Sequence, residues 1–247
     1  MSKIESVKII GNSKIATGIF ELKLCVPPDF PPPQAGQFVN VYLNDPSRLL
    51  PRPISVCDWE GGSLTLVYAV VGDGTKQISA YRPGETVKIS TPLGNGFNVA
   101  GAENYLLVGG GVGVPPLCYL AKSLKNIPGK VVLGFRSEAF LTDEFPTGVE
   151  IATDDGSQGF HGNVVDLLSQ TSIAAGTTIF ACGPKPMLRA LAAFAKAQNL
   201  PLQVSLEERM GCGYGACVGC VCKTTFGNQK VCTFGPVFDA SEVIWDE

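Results

Sequence analysis

The sequence predicts a chain of β barrel plus α/β class. An N-terminal antiparallel six-stranded barrel covers 1–99, a parallel-sheet domain covers 100–205, and a small cysteine-organised lobe covers 206–247. Three observations carry this reading. Short β-branched segments broken by Pro and Gly clusters fill the first part, strand–glycine turn–helix units begin at Tyr105, and five of the nine cysteines fall between Cys212 and Cys232.

In the first part, Val7 to Ile10, Ile19 to Val26, Phe38 to Leu43, Ser63 to Ala69 and Thr86 to Ser90 are apolar runs of strand length. Breakers such as Pro27-Pro28 and Pro31-Pro32-Pro33 separate them, and strands at this spacing close most simply into a small barrel. Within it, Arg52-Pro53-Ile54-Ser55 presents a forked guanidinium suited to phosphate and a hydroxyl suited to a ring nitrogen or carbonyl. A surface arginine before a β-bend explains the same four residues. Gly72-Asp73-Gly74-Thr75 offers a second backbone cradle with Thr75 as hydroxyl donor, and a plain hairpin turn is the competing reading. Two anion sites in one barrel suit a diphosphate ligand.

The second part alternates Tyr105 to Val108, Pro115 to Leu124, Lys130 to Phe135, Thr177 to Ala181 and Pro186 to Gln198, which is the pattern of βα units on a parallel sheet. Gly109-Gly110-Gly111-Val112-Gly113-Val114-Pro115-Pro116 follows a strand and opens a helix, where backbone N–H groups can face a pyrophosphate. The run departs from GxGxxG because prolines stand where the third glycine belongs, and a tight turn with Pro in the first helical turn is the alternative. Asp154-Asp155-Gly156-Ser157 and Cys182-Gly183-Pro184-Lys185-Pro186-Met187 fall at later strand ends on the same sheet edge, where ligands of open parallel sheets collect.

The third part has too few apolar residues for a core of its own and reads as a lobe folded around metal. Cys212, Cys217, Cys220 and Cys232 give CxxxxCxxC with a fourth cysteine after eleven intervening residues, the spacing of a plant-type [2Fe-2S] cluster. The intervening glycines can wrap backbone around sulfide. A zinc site, or inert thiols, is the alternative, although zinc ribbons pair two separated CxxC hooks. Cys222 would share a strand face with Cys220, so a ligand exchange is conceivable, and Cys220 fits the spacing better.

A net charge of -3 and a pI near 5.3, with Lys and Arg scattered, exclude an extended nucleic-acid face. No stretch reaches the ~18 apolar residues of a membrane span, and Met1 to Phe20 lacks a signal-peptide pattern. The expectation is a cytoplasmic protein without membrane contact, in which cysteines serve metal or redox chemistry.

Taken together, these strings resemble the ferredoxin-NADP reductase superfamily over nearly the whole chain. The resemblance implies that Arg52, Pro53, Ile54 and Ser55, followed by Val67, Tyr68, Ala69, Gly74 and Thr75, hold FAD, with Arg52 at the pyrophosphate and Ser55 near the isoalloxazine. It implies that Gly109, Gly110, Gly111, Gly113 and Pro115, with Asp154 and with Cys182, Gly183 and Pro184 beside the nicotinamide, bind NAD. After the strand ending at Phe135, Arg136-Ser137 suits a 2′-phosphate and Glu138 a ribose hydroxyl, and the family leans to NAD.

The C-terminal part narrows the resemblance. Ser205-Leu206-Glu207-Glu208-Arg209-Met210-Gly211-Cys212-Gly213, Cys232-Thr233-Phe234-Gly235-Pro236-Val237-Phe238 and Pro92-Leu93-Gly94-Asn95-Gly96-Phe97 are similar to the electron-transfer subunits of type B dihydroorotate dehydrogenases. That family implies a relay in pyrimidine biosynthesis. A catalytic FMN-containing partner oxidises dihydroorotate, and electrons reach NAD+ through the [2Fe-2S] cluster and FAD, in a heterotetramer of two plus two chains. No site for the pyrimidine itself is assignable here. The alternatives are a related flavin/iron-sulfur subunit of an NADH-ferredoxin, sulfide or hydrogenase-type complex, and a zinc-stabilised binding module without catalysis.

Overall fold

The computed structural model describes residues 3–245. Strands β1 (Ile4–Ala16), β2 (Ile19–Cys25), β3 (Phe38–Tyr42), β4 (Arg52–Glu60), β5 (Ser63–Ala69) and β6 (Thr86–Ser90) close an antiparallel barrel in the order β1-β2-β5-β4-β3-β6. Period-two alternation builds it: Leu22 and Leu24, Val39 and Val41, Leu64 and Leu66, and Val87 and Ile89 point inward and are buried. The five apolar runs read from sequence are all strands, and the sixth is β4, which carries the Arg52-Pro53-Ile54-Ser55 string between β3 and β5. Gly72-Asp73-Gly74-Thr75 is not a hairpin turn. It opens helix α1 (Asp73–Ser79), and the Thr75 hydroxyl accepts from the N–H groups of Val71 and Gly72 and donates to Gly72 O at 3.0 Å.

The second layer system comprises β7 (Asn104–Gly110), α2 (Val114–Ser123), β8 (Gly129–Phe135), β9 (Val149–Thr153), β10 (Phe160–His161), α3 (Val164–Ser169), β11 (Thr177–Cys182), α4 (Lys185–Ala197) and β12 (Leu202–Ser205). The strands run parallel in the order β10-β9-β8-β7-β11-β12, so the C-terminal ends of β7, β9 and β11 share one edge. Pro115 and Pro116 start α2 without loss because first-turn N–H groups have no intrahelical acceptor.

Helix α2 ties this sheet to the barrel. Cys57 on β4 and Cys118 on α2 are buried with their thiols in hydrogen-bonding contact, Lys122 Nζ meets Asp58 Oδ1 at 2.7 Å, and the Tyr119 hydroxyl donates to Pro33 O at 3.0 Å. Among the described residues no helix is long and apolar enough to cross a membrane.

The C-terminal segment has hairpin β13 (Val221–Thr224) and β14 (Gly227–Lys230), short helix α5 (Val231–Phe234) and strand β15 (Val237–Asp239). Strand β15 pairs antiparallel with β12 and becomes the seventh strand of the large sheet. One apolar cluster accordingly mixes Leu106, Ile179 and Leu191 of the sheet domain with Cys220, Val231, Cys232 and Val243. Asn95 clamps the junction. Its Nδ2 donates to Phe234 O and Val237 O, its Oδ1 accepts from Val237 N at 3.0 Å, and its own N–H donates to Gly235 O at 2.7 Å. Two strings noted separately in the sequence, around Asn95 and around Gly235-Pro236-Val237, are therefore hydrogen-bonded partners. Asn95→Ala removes three side-chain bonds between partly exposed groups and is expected to lower stability by about 1–2 kcal/mol, measured by urea unfolding.

Candidate functional site

Arg52, Pro53, Ile54, Ser55, Val67, Tyr68, Ala69 and Thr75 line one cavity of about 330 Å³. Three consecutive stretches of chain contribute: β4 brings the arginine string, β5 ends in Val67-Tyr68-Ala69, and α1 begins beside them. Gly74 is absent from the wall but holds it in place, since a Cβ there would lie 2.2 Å from Arg52 Nε. With no side chain there, the guanidinium rests on the first turn of α1. Arg52 Nη1 also donates to Leu50 O at 2.6 Å, which fixes the fork. The Thr75 hydroxyl proton is directed to Gly72 O, so the expected free hydroxyl donor is instead a cap for its own turn. Tyr68 donates to Asn12 Oδ1 at 3.3 Å, and burial raises its pKa, which keeps the phenol neutral.

The glycine turn after β7 meets this cavity through Val112. Its glycines serve close packing more than conformation. A Cβ on Gly113 would sit 2.2 Å from Cys182 O, one on Gly110 2.6 Å from Met187 Sδ, and one on Gly183 2.6 Å from Met187 Cε. The Gly109-to-Pro115 turn and the Cys182-Gly183-Pro184 turn thus interlock. Gly111 alone combines a positive φ of 53° with open space around its Cα, where a ligand can approach the backbone. Cys182 is fully buried, and burial and then the Glu207 carboxylate push its thiol pKa up, so it is a neutral group. Asp154 follows β9 on the same sheet edge. The Glu138 carboxylate accepts the Thr17 N–H of the β1–β2 turn at 2.8 Å through one oxygen and so joins barrel to sheet domain, while its other oxygen stays exposed.

The cysteine loop, residues 211–219, has no regular structure, and Gly213 and Gly215 take positive φ of 77° and 87°. Among its thiols Cys212 neighbours Cys217, and Cys232 neighbours Cys220. Burial pushes the Cys212 thiol up, but N–H groups of Cys217, Tyr214 and Ala216 converge on its sulfur and lower the pKa to about 6. Cys217 N lies 3.3 Å from that sulfur. Burial and then the neighbouring Cys220 thiol push Cys232 up to about 11. Among the described residues no three His, Cys, Asp or Glu side chains are grouped to hold a single ion. Four thiols at this spacing, with backbone N–H donors beside them, suit a two-iron unit. Cys222 is buried on β13 in the same apolar cluster as Cys220 and Cys232, and burial raises its thiol pKa.

Sequence reasoning missed part of the cavity wall. Phe38, Ser205, Leu206, Glu207, Glu208, Met210 and Pro236 also line it. The segment Ser205 to Met210 was legible only as the lead-in to the cysteines, yet it forms one side of the cavity and reaches Cys212 two residues later. A polar residue inside Phe38-Val39-Asn40-Val41-Tyr42 was a signal too: Asn40 is completely buried and donates to Cys212 O at 2.9 Å.

Residues 207–244 match the family model of the iron-sulfur cluster binding domain of dihydroorotate dehydrogenase B. The dihydroorotate dehydrogenase B (NAD(+)) electron transfer subunit of Caldanaerobacter subterraneus subsp. tengcongensis is 39% identical over 244 residues, covering 96% of this chain and 97% of that protein. The subunit of the same name from Bacillus caldolyticus is 47% identical over 228 residues, 85% of this chain and 87% of that protein. The solved structure of an NADH-dependent reduced ferredoxin-NADP oxidoreductase superposes with a TM-score of 0.88 at 30% identity, over 97% of this chain and 90% of the other. Phthalate dioxygenase reductase shares the fold at a TM-score of 0.68 and 16% identity, over 93% and 94% of the two chains. On identity and coverage, the chain belongs to the family of dihydroorotate dehydrogenase B (NAD(+)) electron transfer subunits.

Proposed function

We propose that this chain connects a dihydroorotate-oxidising partner to NAD+, holding a [2Fe-2S] cluster on Cys212, Cys217, Cys220 and Cys232, FAD in the barrel cavity, and NAD at the glycine turns. One observation carries the reading: Met210 lines the cavity and Cys212 belongs to the cysteine loop, so both sites share one short backbone segment. A bound flavin exchanges a hydride with nicotinamide and single electrons with iron–sulfur, which is the conversion this relay needs.

The chain's own residues have separable tasks. Arg52, steadied by Leu50 O and by Gly74, supplies positive charge for the FAD pyrophosphate, while Ser55 presents a hydroxyl along the same wall and Tyr68, its hydroxyl bonded to Asn12, lines it. Gly109, Gly110 and Gly113 bring the nucleotide turn against Cys182-Gly183-Pro184, and Gly111 leaves backbone open for the NAD pyrophosphate, with Asp154 further along that edge. The four thiols and the N–H groups on Cys212 receive the cluster. Tyr214, Val218, Leu49 and Leu50 are exposed around the cysteine loop, at 55%, 74%, 86% and 57%, and form an apolar rim suited to the catalytic partner. Family resemblance supports two copies of each chain in the cytoplasm.

Reconstitution tests the reading. The purified chain, loaded with FAD and cluster, is expected to reduce dyes with NADH and to leave dihydroorotate untouched until the catalytic partner is added. Turnover of dihydroorotate by the chain alone refutes it. Cys220→Ser is expected to abolish the cluster EPR signal while Cys222→Ser keeps it; the reverse outcome exchanges the ligand. Gly113→Ala forces the two interlocked turns apart and is expected to weaken NADH binding at least tenfold, about 1.4 kcal/mol, with FAD content unchanged, measured by stopped-flow flavin reduction against NADH concentration.

A further inference from the structure

Strand β3 carries Val39 and Val41 into the barrel core and Phe38, Asn40 and Tyr42 on its other face. Along that face Phe38 lines the flavin cavity, and Tyr42 lines a second cavity of about 570 Å³ shared with Gly211, Cys212, Tyr214 and Cys217. Asn40 lies between them, with no exposed surface. Its Nδ2 donates to Cys212 O at 2.9 Å, and its Oδ1 has no partner among the described residues. Gly213 packs so closely that a Cβ there would lie 2.5 Å from Asn40 Nδ2.

A buried amide left half-satisfied destabilises a barrel, so strand packing gives no reason for asparagine here. Its effect falls on one peptide. The C=O and N–H of a trans peptide point opposite ways, so a Cys212 carbonyl held by Asn40 turns the Gly213 N–H away from β3. Neighbouring N–H groups of that loop already converge on the Cys212 sulfur. An iron–sulfur centre gains negative charge on reduction, and oriented N–H dipoles stabilise that state.

We infer that Asn40 is a positioning residue that fixes the Cys212–Gly213 peptide and thereby raises the reduction potential of the cluster, an inference that rests on Cys212 being a ligand. The test uses anaerobically prepared holoprotein of the wild type, Asn40→Leu, Asn40→Asp and, as a control for damage to the same strand, Val41→Ala. FAD, iron and acid-labile sulfide are assayed first, and EPR-monitored redox titration follows. In Asn40→Leu the reduced-to-oxidised cluster ratio at the wild-type midpoint is expected to fall about threefold, roughly 28 mV at 59 mV per decade. Asn40→Asp is expected to fall further, while Val41→Ala and the flavin midpoint stay put. Selective loss of the cluster from the Asn40 variants, with FAD retained, also supports the role. Unchanged potentials and spectra in both variants overturn it, as does joint loss of FAD and cluster matched by Val41→Ala. Wild-type protein without iron or labile sulfide instead refutes the cluster assignment itself, and the inference with it.

Discussion

A loop as poor in apolar side chains as residues 211–219 has nothing of its own to fold around, so its shape must be imposed by hydrogen bonds from neighbouring elements. Asn40 reaches it from the barrel, and Lys230 Nζ donates to Gly215 O at 2.6 Å from the hairpin. Val231 N donates to Cys220 O at 2.8 Å, seating α5 and Cys232 against the loop. Each contact is modest alone, near 1 kcal/mol, but together they restrain a backbone that glycine leaves otherwise free. The thiols keep their places because three surrounding elements agree on where the loop runs.

The same need for external support explains why the cavity behind Arg52 lies at a three-way junction. The barrel provides one wall, the glycine turn after β7 touches it through Val112, and the segment from Ser205 to Met210 closes it. Bringing these parts together requires a backbone approach that a methyl group would forbid, as at Gly113 on Cys182. The interface between barrel and sheet is correspondingly specific. Helix α2 contributes a buried thiol contact, an ion pair and a tyrosine hydrogen bond within two turns, and Glu138 adds a bond to the β1–β2 turn.

Much of this was legible in the chain because it depends on local rules. Alternating β-branched residues gave the barrel strands, prolines after glycines gave the start of α2, and cysteine spacing marked the segment that matches an iron-sulfur cluster binding domain. What escaped were features decided by long-range contact. The bond from Thr17 N–H to Glu138 joins residues remote in sequence, and nothing local announces it. Gly72 to Thr75 has the composition of a hairpin turn, yet Thr75 caps a helix start on which Arg52 rests. Asn40 lies in a strand whose pattern suggests apolar residues throughout, and its partner is the carbonyl of Cys212.

Strand β15 has a meaning beyond architecture. It covers the outer edge of β12, the last parallel strand, and takes up main-chain groups that would otherwise be unpaired there. A truncation designed to strip away the metal lobe and keep a flavin reductase would uncover that edge as a template for pairing with other molecules. The iron-binding part of this subunit therefore cannot be detached like a bead from a string: removing it invites self-association of what remains.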